Sequence, residues 1–296
     1  MSALICLGEP LCELNAQPDG SFRAGFGGDV SNVAIAAARQ GVDVGLISRV
    51  GDDPFGRDLC QLWQREGVSA DHVGVVPGQE TGIYFVFHDA EGHHFVYRRK
   101  GSAASQMTTD ILPDAEIAKA RMFYSSGIGL GVSSSLRDAT FQAVGIARKN
   151  NVAVAFDPNL RTALWSLEQA RSVTHNLMQC CDIALPGLDD ARQLTGLHSP
   201  EDIITFYHDL GAKIVALTLG ADGVSVSDGA DVVTIPGTPV QAKDATGAGD
   251  CFNGLFLANY LRDGDILNAT KIANSGAALS TTGYGAVDPI PFNHTL

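Results

Sequence analysis

Apolar and polar positions along this chain follow two periods. Short runs rich in Val, Ile, Leu and Phe alternate with longer stretches in which apolar residues recur every three or four positions. The short runs predict strands, and the longer stretches predict amphipathic helices. Strands are predicted at 3–9, 44–50, 121–127, 152–157, 182–186 and 213–220, and helices at 30–40, 54–67, 133–150 and 167–180.

The alternation of these elements predicts the fold class. Parallel strands need a long crossover between them, and a helix is the usual crossover. Strands that are apolar along their whole length are typical of a sheet covered on both faces. We therefore expect an α/β fold with a central, mostly parallel sheet flanked by helices.

Residues 81–99 break this alternation. Two β-rich runs are joined there by a turn around Ala90, Glu91 and Gly92, which predicts a hairpin. With the extended residues near 10–26, the hairpin is expected to form a small sheet standing off the main one, like the lid of an enzyme. An ordinary antiparallel edge of the main sheet is the alternative. The prediction is a single domain over 1–296, with a lid formed by about 10–26 and 81–101.

Composition and charge narrow the class of protein. The 296 residues are 45% hydrophobic, which is enough for a large core, and the net charge is −13. An acidic chain without a broad basic face argues against a nucleic-acid or membrane-surface partner. The six cysteines form no CxxC pair and no zinc-ligand spacing. With no apolar stretch of about 18 residues, we expect a soluble cytoplasmic protein.

The stretch KDATGAGDCFNG (243–254) carries the strongest chemical signal. Gly247, Ala248 and Gly249 stand where a loop becomes a helix, so free N–H groups and the positive end of the helix dipole meet there. The P-loop pattern GxxxxGK[ST] is absent. Asp250 would lie beside a bound phosphoryl group, kept ionised by the dipole, and would accept a proton from an attacking hydroxyl. A capping carboxylate is the alternative.

A second glycine-rich stretch, GFGGDVSN (25–32), precedes a helix of small residues. Gly28 permits close approach of a ligand, and Asp29 and Asn32 offer hydrogen bonds to hydroxyl groups. A turn with a helix cap is the alternative. The pattern GIGLG (127–131) lacks the third glycine of a dinucleotide fingerprint, so it is a weak signal for NAD.

Together, GGDxSN and DxTGAGDxFxxG resemble the two signatures of the PfkB carbohydrate kinases, the ribokinase-like sugar kinases. The resemblance extends over nearly the whole chain. It implies a ribokinase-like central sheet with a β lid, and ATP and Mg²⁺ as cofactors. It also implies that Asp250 is the base, that Gly247 to Gly249 bind the transferring phosphoryl group, and that Gly28, Asp29 and Asn32 line the sugar pocket.

The resemblance also assigns a nucleotide side and reveals two departures. Phosphate, ribose and adenine contacts are implied for Thr218, Gly220, Gly223, Asn274, Ala277 and Gly283. The family element N-x-x-E, tied to Mg²⁺, appears here with Gly187 first and Asp190 last, so Asp190 is expected to act through metal-bound water and no direct metal ligand is assigned. Asp244-Ala245 departs from the usual Asp-Thr or Asp-Pro, next to an expected monovalent-cation (K⁺) site.

Four further stretches concern the sugar. YRRKGSAAS (97–105) is the one basic cluster of this acidic chain, and a solvated basic turn is the alternative. With DPNLRTALW (157–165), TGIY (81–84) and SSGIGL (125–130), it is similar to 2-keto-3-deoxygluconate kinases. This resemblance implies that the substrate is contacted by Tyr84, Tyr97, Arg99 and Arg161, with an arginine on its carboxylate. We therefore expect phosphorylation of 2-keto-3-deoxygluconate at its terminal hydroxyl.

Three alternatives stay open for the activity. The first is a fructokinase or another ketose or riboside kinase of the family, since these share DxNxR and parts of SSIGL. The second is a non-catalytic sugar-binding regulatory protein, suggested by the altered N-x-x-E element. The third is an NAD-dependent oxidoreductase. A homo-oligomer that pairs through the lid edge is also expected.

Overall fold

The computed structural model describes residues 2–89 and 92–295. Its strands, in chain order, are β1 (Leu4–Leu7), β2 (Leu11–Ala16), β3 (Phe22–Gly27), β4 (Val44–Gly51), β5 (Val68–Val76), β6 (Ile83–Asp89), β7 (Gly92–Arg98), β8 (Met122–Ser126), β9 (Ala153–Asp157), β10 (Ile183–Ala184), β11 (Ile214–Thr218), β12 (Gly223–Ser227) and β13 (Val232–Pro236). Its helices are α1 (Asp29–Arg39), α2 (Pro54–Glu66), α3 (Asp114–Ile117), α4 (Gly127–Val132), α5 (Ser134–Lys149), α6 (Leu167–Met178), α7 (Leu188–Thr195), α8 (Pro200–Leu210), α9 (Ala248–Asp263) and α10 (Ile266–Ser280).

The main sheet has nine strands in the order β13-β12-β11-β10-β9-β8-β1-β4-β5. The strands from β11 to β5 run parallel, whereas β12 and β13 are antiparallel. Each of the six predicted strands is present, although β10 has only two residues. The predicted α/β architecture is confirmed. Three strands were not predicted. The strands β5 and β13 lie at the two edges of the sheet, where polar and exposed residues weaken the apolar signal. The strand β12 is buried, but its short sequence GVSVS contains only two valines between Gly and Ser residues.

Both faces of the main sheet are buried, as the apolar strands predicted. Along β1, Leu4 and Cys6 pack into one hydrophobic cluster, and Ile5 and Leu7 pack into a second one. Alternate side chains of a strand point to opposite faces, so β1 contributes to both halves of the core. Within the described ranges, no helix is both long and apolar enough to cross a membrane.

A small sheet of four strands stands beside the main one, in the order β3-β2-β6-β7. The predicted hairpin is formed by β6 and β7, with Tyr84 opposite Tyr97. The turn residues Ala90 and Glu91 lie outside the described residues. Because β2 and β3 belong to the same sheet, the segments near 10–26 and 81–101 lie together.

Helices α1 and α9 pack closely on one face of the main sheet. A Cβ atom added to Gly254 of α9 would lie 2.5 Å from the Cβ of Ala36 and 2.6 Å from the carbonyl oxygen of Val33, both on α1. Only a glycine permits this approach. The two glycine-rich stretches therefore meet at the N-terminal ends of these helices.

Candidate active site

The first turn of α9 carries the glycines predicted to bind a phosphoryl group and is called the anion-binding turn below. Gly247 precedes the helix with φ of +75°, and a Cβ there would lie 2.9 Å from that of Ala286. Gly249 faces open space, since a Cβ there would meet no atom within 4 Å. The N–H of Ala248 donates to the carbonyl oxygen of Ala245 at 3.2 Å. The N–H groups of Gly249 and Asp250 have no intrahelical acceptor, so they can bind oxygen atoms of a phosphoryl group.

Asp250 lies in this first turn, partly exposed, and lines a cavity of about 240 Å³ (the Asp250 cavity). The amide of Asn32 donates a hydrogen bond of 2.8 Å to its Oδ2. Burial and the negative charges of Asp29 and Asp157 raise the pKa of Asp250 well above its usual range, while Asn32 and Arg161 lower it. Desolvation and the neighbouring carboxylates thus oppose the ionised form of Asp250 that the helix dipole was expected to favour.

Asp29 is held by the ends of two strands. Its Oδ2 accepts hydrogen bonds from the hydroxyl of Ser126 and, at 3.0 Å, from the amide of Asn159. Gly28 before it has φ of +92°, and a Cβ there would lie 2.5 Å from the carbonyl oxygen of Glu9. The carboxyl ends of β1, β8 and β9 thus converge on the N-terminus of α1, as open α/β sheets place their ligands.

A buried pair that the sequence analysis did not assign lies under Asp250. Asn253 donates a hydrogen bond of 2.8 Å to Asp157, and both side chains are buried. Burial and the nearby charge of Asp190 raise the pKa of Asp157 to about 7. Asn253 lies in the stretch GAGDCFNG, one helical turn after Asp250, and this position in the motif indicates a residue close to the site.

Arg161 and Asp190 lie on the opposite wall of the Asp250 cavity. Their side chains form an ion pair of 3.8 Å, and the N–H of Leu160 donates to Asp190 at 2.9 Å. No cluster of three or more His, Cys, Asp or Glu side chains suited to a metal ion is found among the described residues. The carboxylates of Asp157 and Asp190 nevertheless supply oxygen atoms, which Mg²⁺ prefers, often through its own waters.

A larger cavity of about 530 Å³ (the Asn274 cavity) opens beside the anion-binding turn. Small and apolar residues form most of its wall, among them Pro239, Val240 and Phe252. Five residues predicted for the nucleotide line it: Thr218, Gly220, Gly223, Asn274 and Ala277. Gly283 is not part of this wall, and a Cβ there would lie 2.6 Å from that of Pro289.

The small sheet brings together Tyr84, Tyr97 and Arg99. The rings of the two tyrosines stack with centroids 5.8 Å apart, and the guanidinium of Arg99 lies 5.2 Å from the centroid of Tyr97. Arg161 is not part of this group, because it lies at the Asp250 cavity. The four predicted substrate contacts thus divide between the small sheet and the carboxyl end of the main sheet.

Two buried glutamates, which the sequence analysis missed, hold these side chains. Glu9 forms an ion pair with Arg99 and accepts a hydrogen bond of 3.1 Å from Ser102. Glu13 accepts a hydrogen bond from the hydroxyl of Tyr84. Burial raises the pKa of both glutamates. The positive charge of Arg99 is therefore balanced by Glu9 within the protein. The neighbouring basic residues in the sequence gave no sign of this pairing.

The comparison with known proteins agrees with this geometry. Residues 2–293 match the pfkB family of carbohydrate kinases. The chain belongs to this family. It is 35% identical to a 2-dehydro-3-deoxygluconokinase of Thermoproteus tenax, over 98% of this chain and 92% of the relative. Its family membership and its kinase-named relatives show that the protein is a sugar kinase, an enzyme that transfers a phosphoryl group to an alcohol.

Two solved structures of pfkB-like kinases superpose on nearly the whole chain. One is a complex with ATP and Mg²⁺ of an Escherichia coli protein provisionally named ribokinase II, with a TM-score of 0.92, 27% identity and coverage of 100% and 97% of the two chains. The other is a Vibrio cholerae fructokinase double mutant bound to fructose, ADP and potassium, with a TM-score of 0.89, 28% identity and coverage of 98% and 96%. The ribokinase-like fold is confirmed.

Proposed function

We propose that the protein transfers the γ-phosphate of ATP to the terminal hydroxyl of 2-keto-3-deoxygluconate. The observation that carries the reaction is the position of Asp250, in the same helical turn as the N–H group of Gly249 and hydrogen-bonded to Asn32. The similarity to the Thermoproteus tenax 2-dehydro-3-deoxygluconokinase supports the sugar acid.

The reaction needs a base beside the phosphoryl group. The substrate hydroxyl attacks the γ-phosphorus as its proton passes to Asp250, and the bond to the β-phosphate oxygen breaks to release ADP. The N–H groups of the turn at Gly247 to Gly249 hold the oxygens of the transferring group. Magnesium bound to ATP would neutralise phosphate charge, with Asp157 and Asp190 holding its water ligands.

ATP is proposed to occupy the Asn274 cavity, with its phosphates directed toward the anion-binding turn. The cavity wall supports this because small residues such as Gly220 and Gly223 leave backbone groups accessible to a ligand. Asn274 donates a hydrogen bond of 2.8 Å to the carbonyl oxygen of Pro236, so its amide also shapes the wall. Gly283 is proposed to support this region through its packing on Pro289.

The small sheet is proposed to act as a lid over the sugar. Tyr84, Tyr97 and Arg99 face the substrate from the lid, while Asp29 and Asn32 bind its hydroxyl groups from the main body. Since Glu9 already pairs with Arg99, the substrate carboxylate would share this guanidinium. Arg161 is the second cation within reach, because it borders the Asp250 cavity with its side chain 46% exposed.

A monovalent cation is proposed next to Asp244. This carboxylate is 8% exposed, and it accepts hydrogen bonds of 2.9 Å from the N–H groups of Thr246 and Gly285. It thereby joins the turn before α9 to a distant loop. Potassium in the Vibrio cholerae fructokinase supports the proposal, and comparison of turnover in potassium and in tetramethylammonium salts tests it.

The outer part of the lid sheet is proposed as an oligomer interface. Phe22 and Phe87 are 45% and 39% exposed, and their rings lie 6.0 Å apart. Phe22 is on the edge strand β3 and Phe87 is on the inner strand β6, and exposed aromatic side chains beside a free sheet edge favour pairing with a second copy. Sedimentation equilibrium of wild type and of Phe22→Ser measures the stoichiometry.

The deciding assay follows ADP release from Mg·ATP, with 2-keto-3-deoxygluconate and fructose compared at equal concentrations. A preference for the acid of about 100-fold in kcat/KM, or about 2.7 kcal/mol, supports the proposal. A preference for fructose keeps the kinase and selects the fructokinase alternative. Sugar binding without ADP release would favour the regulatory protein.

The variant Asp250→Asn, whose side chain is close in size to that of wild type, must lose nearly all turnover if Asp250 is the base.

A further inference from the structure

Asn32 makes a contact that sugar binding alone does not require. Its Nδ2 donates a hydrogen bond of 2.8 Å to Oδ2 of Asp250, 218 positions later in the chain. The side chain of Asn32 is only 3% exposed, so water does not compete freely for this bond. The amide therefore fixes which oxygen of Asp250 is occupied and which is left to accept a proton.

The other end of the same amide lacks a partner. Oδ1 of Asn32 is buried and accepts no hydrogen bond from any of the described residues. A buried polar atom without a partner is costly, and such atoms in native proteins usually await a ligand or water. A sugar hydroxyl that donates a hydrogen bond to Oδ1 would contact the same amide group that contacts Asp250.

The distance between Asn32 and Asp250 is set by the packing of their helices. Asn32 is on α1 and Asp250 is on α9, and the close approach at Gly254 lies one turn further along α9. A methyl group at Gly254 would overlap Val33, the neighbour of Asn32 in the chain, as well as Ala36. The glycine thus keeps Asn32 within reach of the base.

We infer that Asn32 is a positioning residue for the base, and that Gly254 maintains the spacing it needs. Through Nδ2, Asn32 orients the carboxylate of Asp250. Through Oδ1, it accepts a hydrogen bond from a sugar hydroxyl and so holds the sugar beside that carboxylate. This inference rests on the proposed function, because it takes Asp250 as the base. It adds that one amide couples the bound sugar to the orientation of the base.

The test separates turnover from sugar affinity. Asn32→Ala is expected to lower kcat by about 100-fold, since loss of orientation at a reacting centre costs about that much. Sugar affinity, measured by calorimetry without ATP, should fall by at most about tenfold, the loss of one hydrogen bond. The sugar used is whichever one the wild-type enzyme phosphorylates. An unchanged kcat with weaker sugar binding would overturn the inference and leave Asn32 as a sugar ligand only.

Gly254→Ala tests the spacing, and Gly145→Ala is its matched control. Gly145 also lies within a helix, but a Cβ there meets no atom within 4 Å. Gly254→Ala should lower kcat by about tenfold at a temperature where circular dichroism shows a folded protein, and Gly145→Ala should not. The double variant Asn32→Ala, Gly254→Ala should lose no more kcat than Asn32→Ala alone. If the double variant instead loses kcat by the product of the two single-variant factors, Gly254 does not act through the spacing of Asn32 and Asp250, and that role is overturned.

Asp250→Asn separates failure of the inference from failure of the proposed function. If this variant is inactive while Asn32→Ala affects only affinity, the inference fails and the base assignment stands. If Asp250→Asn retains turnover, the base assignment fails, and the inference fails with it.

Discussion

The proposed sugar side and the proposed nucleotide side of the site differ in the residues that form them. On the proposed sugar side, charged groups are buried in pairs, such as Glu9 with Arg99, whose side chains are 0% and 10% exposed. On the proposed nucleotide side, small and apolar residues line the Asn274 cavity, and the side chain of Asn274 donates a hydrogen bond to a backbone carbonyl oxygen. The first region presents charged side chains held in fixed positions, and the second presents mainly backbone groups and an apolar wall.

The difference concerns what each ligand demands. A sugar is recognised by the placement of its hydroxyl and carboxyl groups, which requires side chains held at fixed angles. Holding them takes charges out of water, and only pairing makes that tolerable. Phosphates and a flat base can be bound by N–H groups and apolar walls. Substitutions should therefore be far more damaging on the sugar side.

Breaking the Glu9–Arg99 pair should have the largest effect on stability. Arg99→Met would leave the carboxylate of Glu9 buried without its cation, and such losses cost about 3–5 kcal/mol. The free energy of unfolding in urea measures the effect. Glu9→Gln combined with Arg99→Met is the control, because it removes both charges, and it should recover most of the loss. Equal stability of the two variants would mean that Glu9 is solvated.

The carboxylates of the site should make the ligand-free protein less stable as pH rises. Asp157 has a pKa of about 7 in the folded protein, against about 4 for an unperturbed aspartate. Between these values the folded state holds a proton that the unfolded chain has released, so stability is lost with rising pH, by about 1.4 kcal/mol per unit of pKa shift.

Asp157→Asn isolates this contribution from the overall negative charge. The variant removes the titrating group but keeps the size of the side chain beside Asn253. The free energy of unfolding, measured without ligands at pH 5.5 and at pH 8, should differ less for the variant than for wild type. The same difference in both proteins would contradict the assignment.

Tyr84→Phe should have a smaller effect, confined to the sugar. The hydroxyl of Tyr84 donates its only proton to Glu13, so its oxygen is left to accept from a sugar hydroxyl. Loss of one such bond should raise the KM for sugar by about fivefold, or about 1 kcal/mol. The KM for ATP, measured in the same preparation, should stay within error. An equal rise in both would indicate a general loosening of the lid.

The smallest effect is expected from Asn274→Ala on the nucleotide side. The amide of Asn274 donates an exposed hydrogen bond to the carbonyl oxygen of Pro236, and the residue is half-buried. We expect the KM for ATP to change by less than about threefold, since an exposed hydrogen bond contributes little. A tenfold rise would show that the nucleotide side also depends on side chains, and would erase the contrast with the sugar side.

Local sequence patterns predicted the helices and strands whose formation depends on residues close together in the chain. The strand β1 and the helix after Gly247 were predicted because periodicity and glycine placement act over a few residues. The hairpin of β6 and β7 was predicted on the same ground. The edge strand β13 was missed because an exposed edge needs no apolar run, and the buried strand β12 was missed because Ser and Gly alternate with its two valines. Both strands form by pairing in series with β11, and hydrophobic periodicity carries no information on which strands pair.

The sequence by itself determined that one glycine-rich turn precedes Asp250 and that a second precedes Asp29, each at the N-terminus of a helix, because glycine placement and apolar periodicity act over a few residues. Only the tertiary structure decided which groups those residues meet. The contacts of Asn32 with Asp250 and of Glu9 with Arg99 join positions 218 and 90 residues apart. Such partners are set by helix packing and strand order, through spacings like that at Gly254, and these depend on the whole core rather than on local sequence.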